Sequence, residues 1–252
     1  MSKDWTAGIL TILWMCYHYP RAKVLLTAPK MDQVKGIMFK EIEVQYLVLC
    51  KRFPEHFDPK ALTTKKLELG PECFAMGLTT QEAGESDEKG NSKFQGFKSS
   101  NLLIIASEAQ DIPATIFNQM TGMTTSPNAR ILEIGNPLVP YGAFYEHCMN
   151  RNRDYKIIKL PASLSPNIIT GKEVIPGMCS REWLEDKRRD AGQDYENDPD
   201  YQARVLAEFP QQSVHAWIPL SKIRSAVGRR FISDRVRVAG LDVAGPGRVP
   251  RV

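Results

Sequence analysis

Apolar and polar residues alternate in blocks along roughly the first 150 residues. Residues 102–106 form a continuous apolar and small run that ends at Ser107 and Glu108. Such a run is typical of a strand buried on both faces, as in a parallel sheet. Strand patterns at residues 23–29 and 130–137 alternate with helical patterns at residues 31–51 and 113–122. This order predicts an α/β fold, with a mostly parallel sheet flanked by helices.

Glu108 is the first candidate for chemistry, because it follows the carboxyl end of a predicted central strand. Open α/β sheets bind their ligands at that edge, and nucleotide hydrolases place a water-activating carboxylate there. The alternative interpretation is a buried strand followed by a solvated glutamate at the start of a helix. The residue pattern alone leaves both open.

The chain changes character after about residue 150. Residues 155–160 alternate loosely and predict a last sheet strand, and residues 161–176 are rich in Pro, Ser and Asn, which predicts a loop. Ser180 is a predicted N-cap for a helix that ends at Gly192, and a second helix is predicted at residues 201–207. Short helices and loops of this kind suit a small lid or linker subdomain.

Composition restricts the class of protein without identifying it. The 252 residues are 25% charged and 42% hydrophobic, with a net charge of +4, which is ordinary for a globular protein and permits contact with nucleic acid. The five cysteines are widely spaced, so neither a zinc site nor a disulfide framework is indicated. The apolar stretch at residues 9–19 is too short to span a bilayer.

Several short segments, in a fixed order, carry a resemblance to a known family. They are SKDWTA (2–7), TAP (27–29), FQGF (94–97), LLIIASEA (102–109), GNP (135–137), GAFY (142–145), SREW (180–183), YQARVLAEFP (201–210) and GLDVA (240–244). In this order the chain resembles the phage terminase large subunits, the motors that pump viral DNA into capsids. The resemblance covers nearly the whole chain and implies a P-loop NTPase-like core of the RecA/ASCE type.

The resemblance also implies roles for five residues. Lys3 corresponds to the lysine of the phosphate-binding loop, and Asp4 stands where that loop usually has a hydroxyl residue, so both are expected to bind ATP. Glu108 is expected to polarise the attacking water. Ser107 stands where the family has the aspartate that helps to hold Mg²⁺, which predicts weaker metal binding. Asn136 is expected to sense the γ-phosphate, although a simple turn at Gly135-Asn136-Pro137 is the alternative.

The domain organisation implied by the resemblance has three parts. Residues 1–150 form the ATPase core, which we expect to lack its first strand and most of the phosphate-binding loop. Residues 151–235 form the lid or linker, and residues 236–252 begin a truncated RNase H-like nuclease domain. In that domain Asp242 is expected to hold a catalytic metal. A two-metal reaction needs several carboxylates, and one aspartate cannot hold both metal ions. We therefore expect a fragment of a longer protein or the product of a broken reading frame.

The expected function is ATP-driven translocation of double-stranded viral DNA into the procapsid, with cutting by the nuclease domain. The resemblance implies the portal protein and the terminase small subunit as partners, a ring of identical subunits, and action in the host cytoplasm, away from membranes. Two alternatives remain open. One is a catalytically inactive terminase remnant, which is suggested by Ser107 and the missing loop, and the other is a helicase-like P-loop ATPase.

Overall fold

The structure is a computed structural model that describes residues 3–79, 97–150, 154–193, 195–210 and 227. The chain divides into two compact units, Met1–Ala216 and Trp217–Val252. Nearly all described residues belong to the first unit. Residues 82–92, a polar and Gly-containing stretch that predicts a loop, and residues 236–252, the expected start of the nuclease domain, lie outside the described residues. The domain boundaries near residues 150 and 235 stay predictions.

A five-stranded sheet forms the centre of the first unit. Its strands are β1 (Ala22–Ala28), β2 (Lys66–Gly70), β3 (Cys73–Thr79), β4 (Leu102–Ser107) and β5 (Arg130–Ile134). Their spatial order is β2-β3-β1-β4-β5. β3, β1, β4 and β5 run parallel, and β2 pairs antiparallel with β3. The predicted α/β fold is confirmed.

Helices flank this sheet and form the region that follows it. They are α1 (Lys3–Tyr17), α2 (Met31–Gln33), α3 (Phe39–Arg52), α4 (Ala114–Met123), α5 (Ala143–Met149), α6 (Pro166–Thr170), α7 (Arg181–Ala191) and α8 (Pro199–Arg204). A π-helical turn, Val34–Met38, joins α2 to α3. No helix within the described ranges is both long enough and apolar enough to cross a membrane.

Both faces of the sheet are covered, which explains why its central strands are apolar throughout. Every residue of β4 is buried, since its side chains alternate between two cores. Leu103 and Ile105 pack with α1 and α3, whereas Ile104 and Ala106 pack with α4. Each fully buried aliphatic side chain of this size contributes roughly 1.5–3 kcal/mol, so the two cores together fix the sheet between its helices.

The helices present apolar stripes with helical spacing to these cores. In α3 the buried residues are Phe39, Ile42, Tyr46 and Cys50. In α4 they are Ile116, Phe117, Met120 and Met123. Because the spacing of three or four residues places each set on one helix face, the remaining faces are free to meet solvent.

A third, smaller core lies in the predicted lid region. Leu184, Tyr201 and Val205 are buried together there, beside partly buried Trp183 and Tyr195. The helix predicted from Ser180 is observed as α7, and the Ser180 hydroxyl accepts a hydrogen bond from Trp183 N at 3.2 Å. Gly192 follows the last residue of α7 with a positive φ of 81°, as predicted for the end of that helix.

The strand predicted at residues 155–160 is wrong. This segment has no regular secondary structure. It runs instead along the lid region: Lys159 Nζ lies 2.5 Å from Glu208 Oε1, and Ala162 N donates to Val205 O at 2.8 Å. The first contact is made by the side chain of Lys159 and the second by the main chain just after the segment.

Candidate functional site

The candidate site lies at the carboxyl edge of the sheet. β1, β4 and β5 are parallel, so their carboxyl ends meet there. β1 has β3 on one side and β4 on the other, which makes the gap between β1 and β4 the point where the strand order reverses. Ligands of open α/β sheets bind at such a point.

The amino-terminal end of α1 reaches the same edge. Lys3, the first residue of α1, places its Nζ 2.7 Å from Glu108 Oε1. The two side chains are about one-third exposed, at 31% for Lys3 and 27% for Glu108. The structure therefore brings together two predicted site residues that are 105 positions apart.

Asp4 and Ser107 form a second pair at this edge. The Ser107 hydroxyl, at the end of β4, donates to Asp4 Oδ1 at 3.2 Å. Ser107 is buried, with 4% of its surface exposed. A carboxylate and a hydroxyl thus lie directly beside the Lys3–Glu108 ion pair.

The backbone of Glu108 is left-handed, with φ 50° and ψ 48°. This conformation is uncommon for a residue other than glycine and costs of order 1–3 kcal/mol. It turns the chain out of β4 into a short 3₁₀ turn, Ala109–Asp111, closed by Asp111 N donating to Glu108 O at 3.0 Å. Such strained residues cluster at functional sites.

Opposing effects set the pKa of Glu108. Burial alone would raise the pKa of this carboxyl. Hydrogen bonds from Gln110 and Lys3, with the positive charges of Lys3 and Arg204, outweigh burial and hold the pKa below its usual value. Glu108 is therefore an ionised carboxylate at neutral pH and can accept a proton or a hydrogen bond.

Gln110 belongs to the site although no sequence pattern singles it out. Its Nε2 donates to Glu108 Oε2 at 2.8 Å, and its Oε1 accepts from the backbone N of Asn136 at 3.1 Å. Asn136 therefore lies at the predicted edge, two residues after β5, and its described contact is made by the main chain.

Arg204, in α8, adds a positive charge from the lid region. Its Nε lies 2.5 Å from Asp200 Oδ1 in the same helix, and its charge contributes to the lowered pKa of Glu108. Asp200 lies four residues earlier, so this ion pair stays within α8.

Asp242, the predicted nuclease metal ligand, lies outside the described residues. Among the residues that the structure does describe, no cluster of three or more His, Cys, Asp or Glu side chains could hold a metal ion. Asp4 and Ser107 together offer one carboxylate and one hydroxyl.

Comparisons with known proteins are consistent with this geometry. No family model matches the chain. The chain is 26% identical over 246 residues to the probable terminase large subunit of Enterobacteria phage P7, a match that covers 97% of the chain and 48% of that relative. The chain therefore spans about half the length of the curated relative that it matches.

A solved structure has the same fold. The large terminase of a thermophilic bacteriophage matches with a TM-score of 0.50 at 13% identity, over 81% of this chain and 44% of that one. The same thermophilic phage protein in complex with ADP gives a TM-score of 0.49 at 12% identity, over 81% and 46%. The curated relative and the shared fold confirm the predicted resemblance: this chain is similar to the phage terminase large subunits.

Proposed function

We propose that this chain carries the ATP-hydrolysing site of a phage DNA-packaging motor. The observation that carries the proposal is the meeting of Lys3 and Asp4, at the start of α1, with Ser107 and Glu108, at the end of β4. All four side chains lie where the strand order of the sheet reverses. The P7 relative, a probable terminase large subunit, supports DNA packaging as the wider role.

In this proposal Lys3 and the first turn of α1 bind the phosphates of ATP. The free N–H groups and the dipole at a helix amino terminus favour an anion, and α1 has 15 residues. Lys3 adds a full positive charge at the same end. Its present partner, Glu108, shows that its ammonium group can reach the carboxyl end of β4.

Glu108 acts as the group that orients and activates the attacking water. Its lowered pKa keeps it ionised, and an ionised carboxylate can accept a hydrogen bond or a proton from water. The left-handed backbone at Glu108 directs the carboxylate back towards the start of α1. In nucleotide hydrolases, positioning and electrostatic stabilisation together supply nearly all of the catalysis.

Mg²⁺ fits the Asp4–Ser107 pair only together with the nucleotide. Mg²⁺ is usually held by one or two carboxylates, substrate phosphates and several waters, and this pair offers one carboxylate and one hydroxyl. When bound, Mg²⁺ would neutralise negative charge on the phosphates. We expect negligible affinity for Mg²⁺ in the absence of nucleotide.

The remaining parts of the proposal rest on the resemblance. They are translocation of double-stranded DNA into the procapsid, contact with a portal protein and a terminase small subunit, assembly into a ring, and a metal-binding role for Asp242 in a nuclease domain. Binding of ATP with Mg²⁺ belongs to the same set. The net charge of +4 is compatible with a DNA partner.

A second candidate function is an inactive relative that keeps the fold and its contacts. Ser107 favours it, because a hydroxyl brings no negative charge to a metal ion. The ion pair between Lys3 and Glu108 favours it as well, since each group already has a partner.

The test is Glu108→Gln in the protein expressed from its complete reading frame. Loss of the general base should reduce ATP turnover by roughly 10²–10⁴-fold, with ATP binding retained because the amide keeps the shape of the carboxyl. Glu43→Gln is the matched control, since Glu43 pairs with Lys40 in α3, away from the sheet edge. Unchanged turnover in Glu108→Gln would remove Glu108 from the mechanism, and absence of turnover in the wild-type protein would favour the inactive relative.

A further inference from the structure

The side-chain amide of Gln110 bridges the ends of two neighbouring strands. Its Nε2 donates to Glu108 Oε2 at 2.8 Å, just after β4, and its Oε1 accepts from Asn136 N at 3.1 Å, just after β5. Nε2 also lies 3.1 Å from Asp111 Oδ2. Both ends of one planar amide are thus in use, which fixes its orientation more firmly than a single hydrogen bond would.

Gly135 leaves the space that this bridge needs. A Cβ added at Gly135 would lie 2.6 Å from Gln110 Oε1 and 3.1 Å from Phe144 Cε1. Contacts below 3.0 Å between a carbon and an oxygen that are not bonded are repulsive, so any larger residue would push the Gln110 carbonyl away from Asn136. The bridge therefore depends on a glycine at the end of β5.

The β5 side of the bridge continues to the lid region. Phe144, in α5, packs against Phe209 with ring centroids 6.0 Å apart, and Tyr145 does so at 5.0 Å. Phe209 follows Glu208, the partner of Lys159. Movement of the segment after α8 would consequently shift α5. Through Phe144, that shift would change the packing around Gly135 and Gln110.

Glu108 has two described hydrogen-bond donors, one for each carboxylate oxygen. Lys3 contacts Oε1 and Gln110 contacts Oε2. In the proposed function Lys3 binds phosphate, so its contact with Glu108 Oε1 should weaken when ATP is bound. The neutral amide of Gln110 can keep Oε2 in place without protonating the carboxylate.

We propose that Gln110 is a positioning residue, which orients the Glu108 carboxylate towards the attacking water. Through its second hydrogen bond, this orientation depends on the position of the end of β5. The proposal rests on the proposed ATP hydrolysis at this site. Gln110 touches neither phosphate nor water in it. It acts through Glu108, and the hydrogen bond from the Asn136 amide holds it to the end of β5.

The experiment compares Gln110→Met and Gln110→Glu with the wild-type protein in steady-state ATP hydrolysis. Methionine fills a similar volume without hydrogen bonds, whereas glutamate can still accept from Asn136 N but cannot donate to Glu108 when ionised. Both variants should lower kcat by roughly 10–100-fold, the loss expected when a reacting group is misplaced by about 1 Å. KM should stay within about threefold, because neither the phosphates nor Lys3 are touched.

Two readouts separate positioning from a general structural defect. In Gln110→Met the acid limb of the kcat–pH profile should move to higher pH, because the lost hydrogen bond no longer favours the Glu108 carboxylate, which is the active form above its pKa. In a Glu108→Gln background, Gln110→Met should cause no further loss, since it acts through the missing carboxylate. An equal further loss in that background would overturn the proposal.

Gly135→Ala tests the second contact of the bridge and should lower kcat in the same range. Gly122→Ala is its matched control, because an added Cβ at Gly122 meets nothing within 4 Å. Amide hydrogen exchange of Asn136, measured by NMR without nucleotide, should be faster in Gln110→Met than in the wild-type protein.

The outcomes distinguish this proposal from the proposed function. If the wild-type protein hydrolyses ATP and Glu108→Gln abolishes the reaction while Gln110→Met keeps full kcat, the role of Gln110 is refuted and the proposed function stands. If the wild-type protein hydrolyses no ATP, the proposed function falls and the role of Gln110 in hydrolysis falls with it. Unchanged Asn136 exchange in Gln110→Met would refute the bridge itself.

Discussion

Ser107 and Glu108 occupy adjacent positions at the end of β4 but point to different partners. Ser107 continues the alternation of the strand and reaches Asp4 on the α1 side, whereas Glu108 leaves the strand in a left-handed conformation. The left-handed turn is what allows a side chain after a fully buried strand to return to Lys3. Strain of this kind persists only where the surroundings hold it, and here Lys3 and Gln110 both do.

Ser107→Asp tests whether the Asp4–Ser107 pair is a metal position. Without nucleotide, a second carboxylate beside Asp4 at a buried position should destabilise the protein by about 1–3 kcal/mol. This corresponds to a fall in Tm of roughly 3–10 °C for a unit of this size. With saturating MgATP the fall should be much smaller, because a divalent cation neutralises the two carboxylates.

Ser107→Asn is the control for that change, since asparagine has the same shape as aspartate and no charge. Differential scanning calorimetry with and without MgATP measures all three proteins. An identical fall for Asp and Asn, or a fall in Ser107→Asp that MgATP does not reduce, would show that the pair does not hold a metal.

At the residue scale, sequence patterns identify candidates but not partners. Glu108 stands out because it ends an uninterrupted apolar run. Its contact with Lys3 spans 105 positions, and no periodicity encodes a contact of that length. Gln110 is not found by pattern analysis for another reason: its hydrogen bonds to Glu108 and Asn136 join the ends of two strands, and the space for them depends on the absence of a side chain at residue 135.

At the element scale, β1 and β4 were predictable because both are buried on two faces and so lack polar alternation. β2 was missed, since it is a short strand with mixed residues whose partner β3 follows after a tight turn. The strand predicted at residues 155–160 failed because local alternation does not reveal whether a sheet edge is near. In the structure that segment instead contacts the lid region through Lys159 and Ala162.

Close packing of β3 against the π-helical turn gives an element-scale prediction at Gly77. A Cβ added there would lie 2.5 Å from Val34 Cγ1 and 3.2 Å from Phe39 Cε2. Gly77→Ala should therefore lower the free energy of unfolding by about 1–3 kcal/mol, the usual range for an overpacked core. Chemical denaturation measures the change.

Gly70→Ala provides the comparison for Gly77, as an added Cβ at Gly70 meets nothing within 4 Å. Its free energy of unfolding should stay equal to that of the wild-type protein or rise by a few tenths of a kcal/mol, up to about 1 kcal/mol, because alanine restricts the unfolded chain. If the two variants were equally stable, the close contact between β3 and the π-helical turn would not exist in solution.

At the scale of the whole molecule, the faces of the sheet form the hydrophobic cores, and its carboxyl edge carries the candidate site. Its two faces bury the apolar residues of α1, α3 and α4, while its carboxyl edge gathers Lys3, Asp4, Ser107 and Glu108. The lid region has a core of its own and reaches the main core through Phe209, which contacts Phe144 and Tyr145. The side chains of α5 thus contact both the lid region and the surroundings of Gly135 at the end of β5.

The order of strands and helices in residues 1–150 was sufficient to predict the fold class, because continuous apolar strand patterns alternate with helical patterns there. The family resemblance added the positions of Lys3 and Asp4, which no local pattern would select from an ordinary helix start. The structure brings both residues to the end of β4, although a nucleotide bound there stays a prediction. Asp242 and the predicted nuclease strand depend on the resemblance alone.

The most direct test of a nucleotide site at this edge is a calorimetric titration of MgATPγS into the protein and two lysine variants. Lys3→Met should weaken binding by at least about tenfold, since it removes a charge-assisted contact with phosphate. Lys23→Met should bind as the wild-type protein does, because Lys23 pairs with Glu72 at 3.3 Å near the opposite end of β1. Equal binding by Lys3→Met and the wild-type protein, or no binding by the wild-type protein, would contradict a nucleotide site at Lys3 and Glu108.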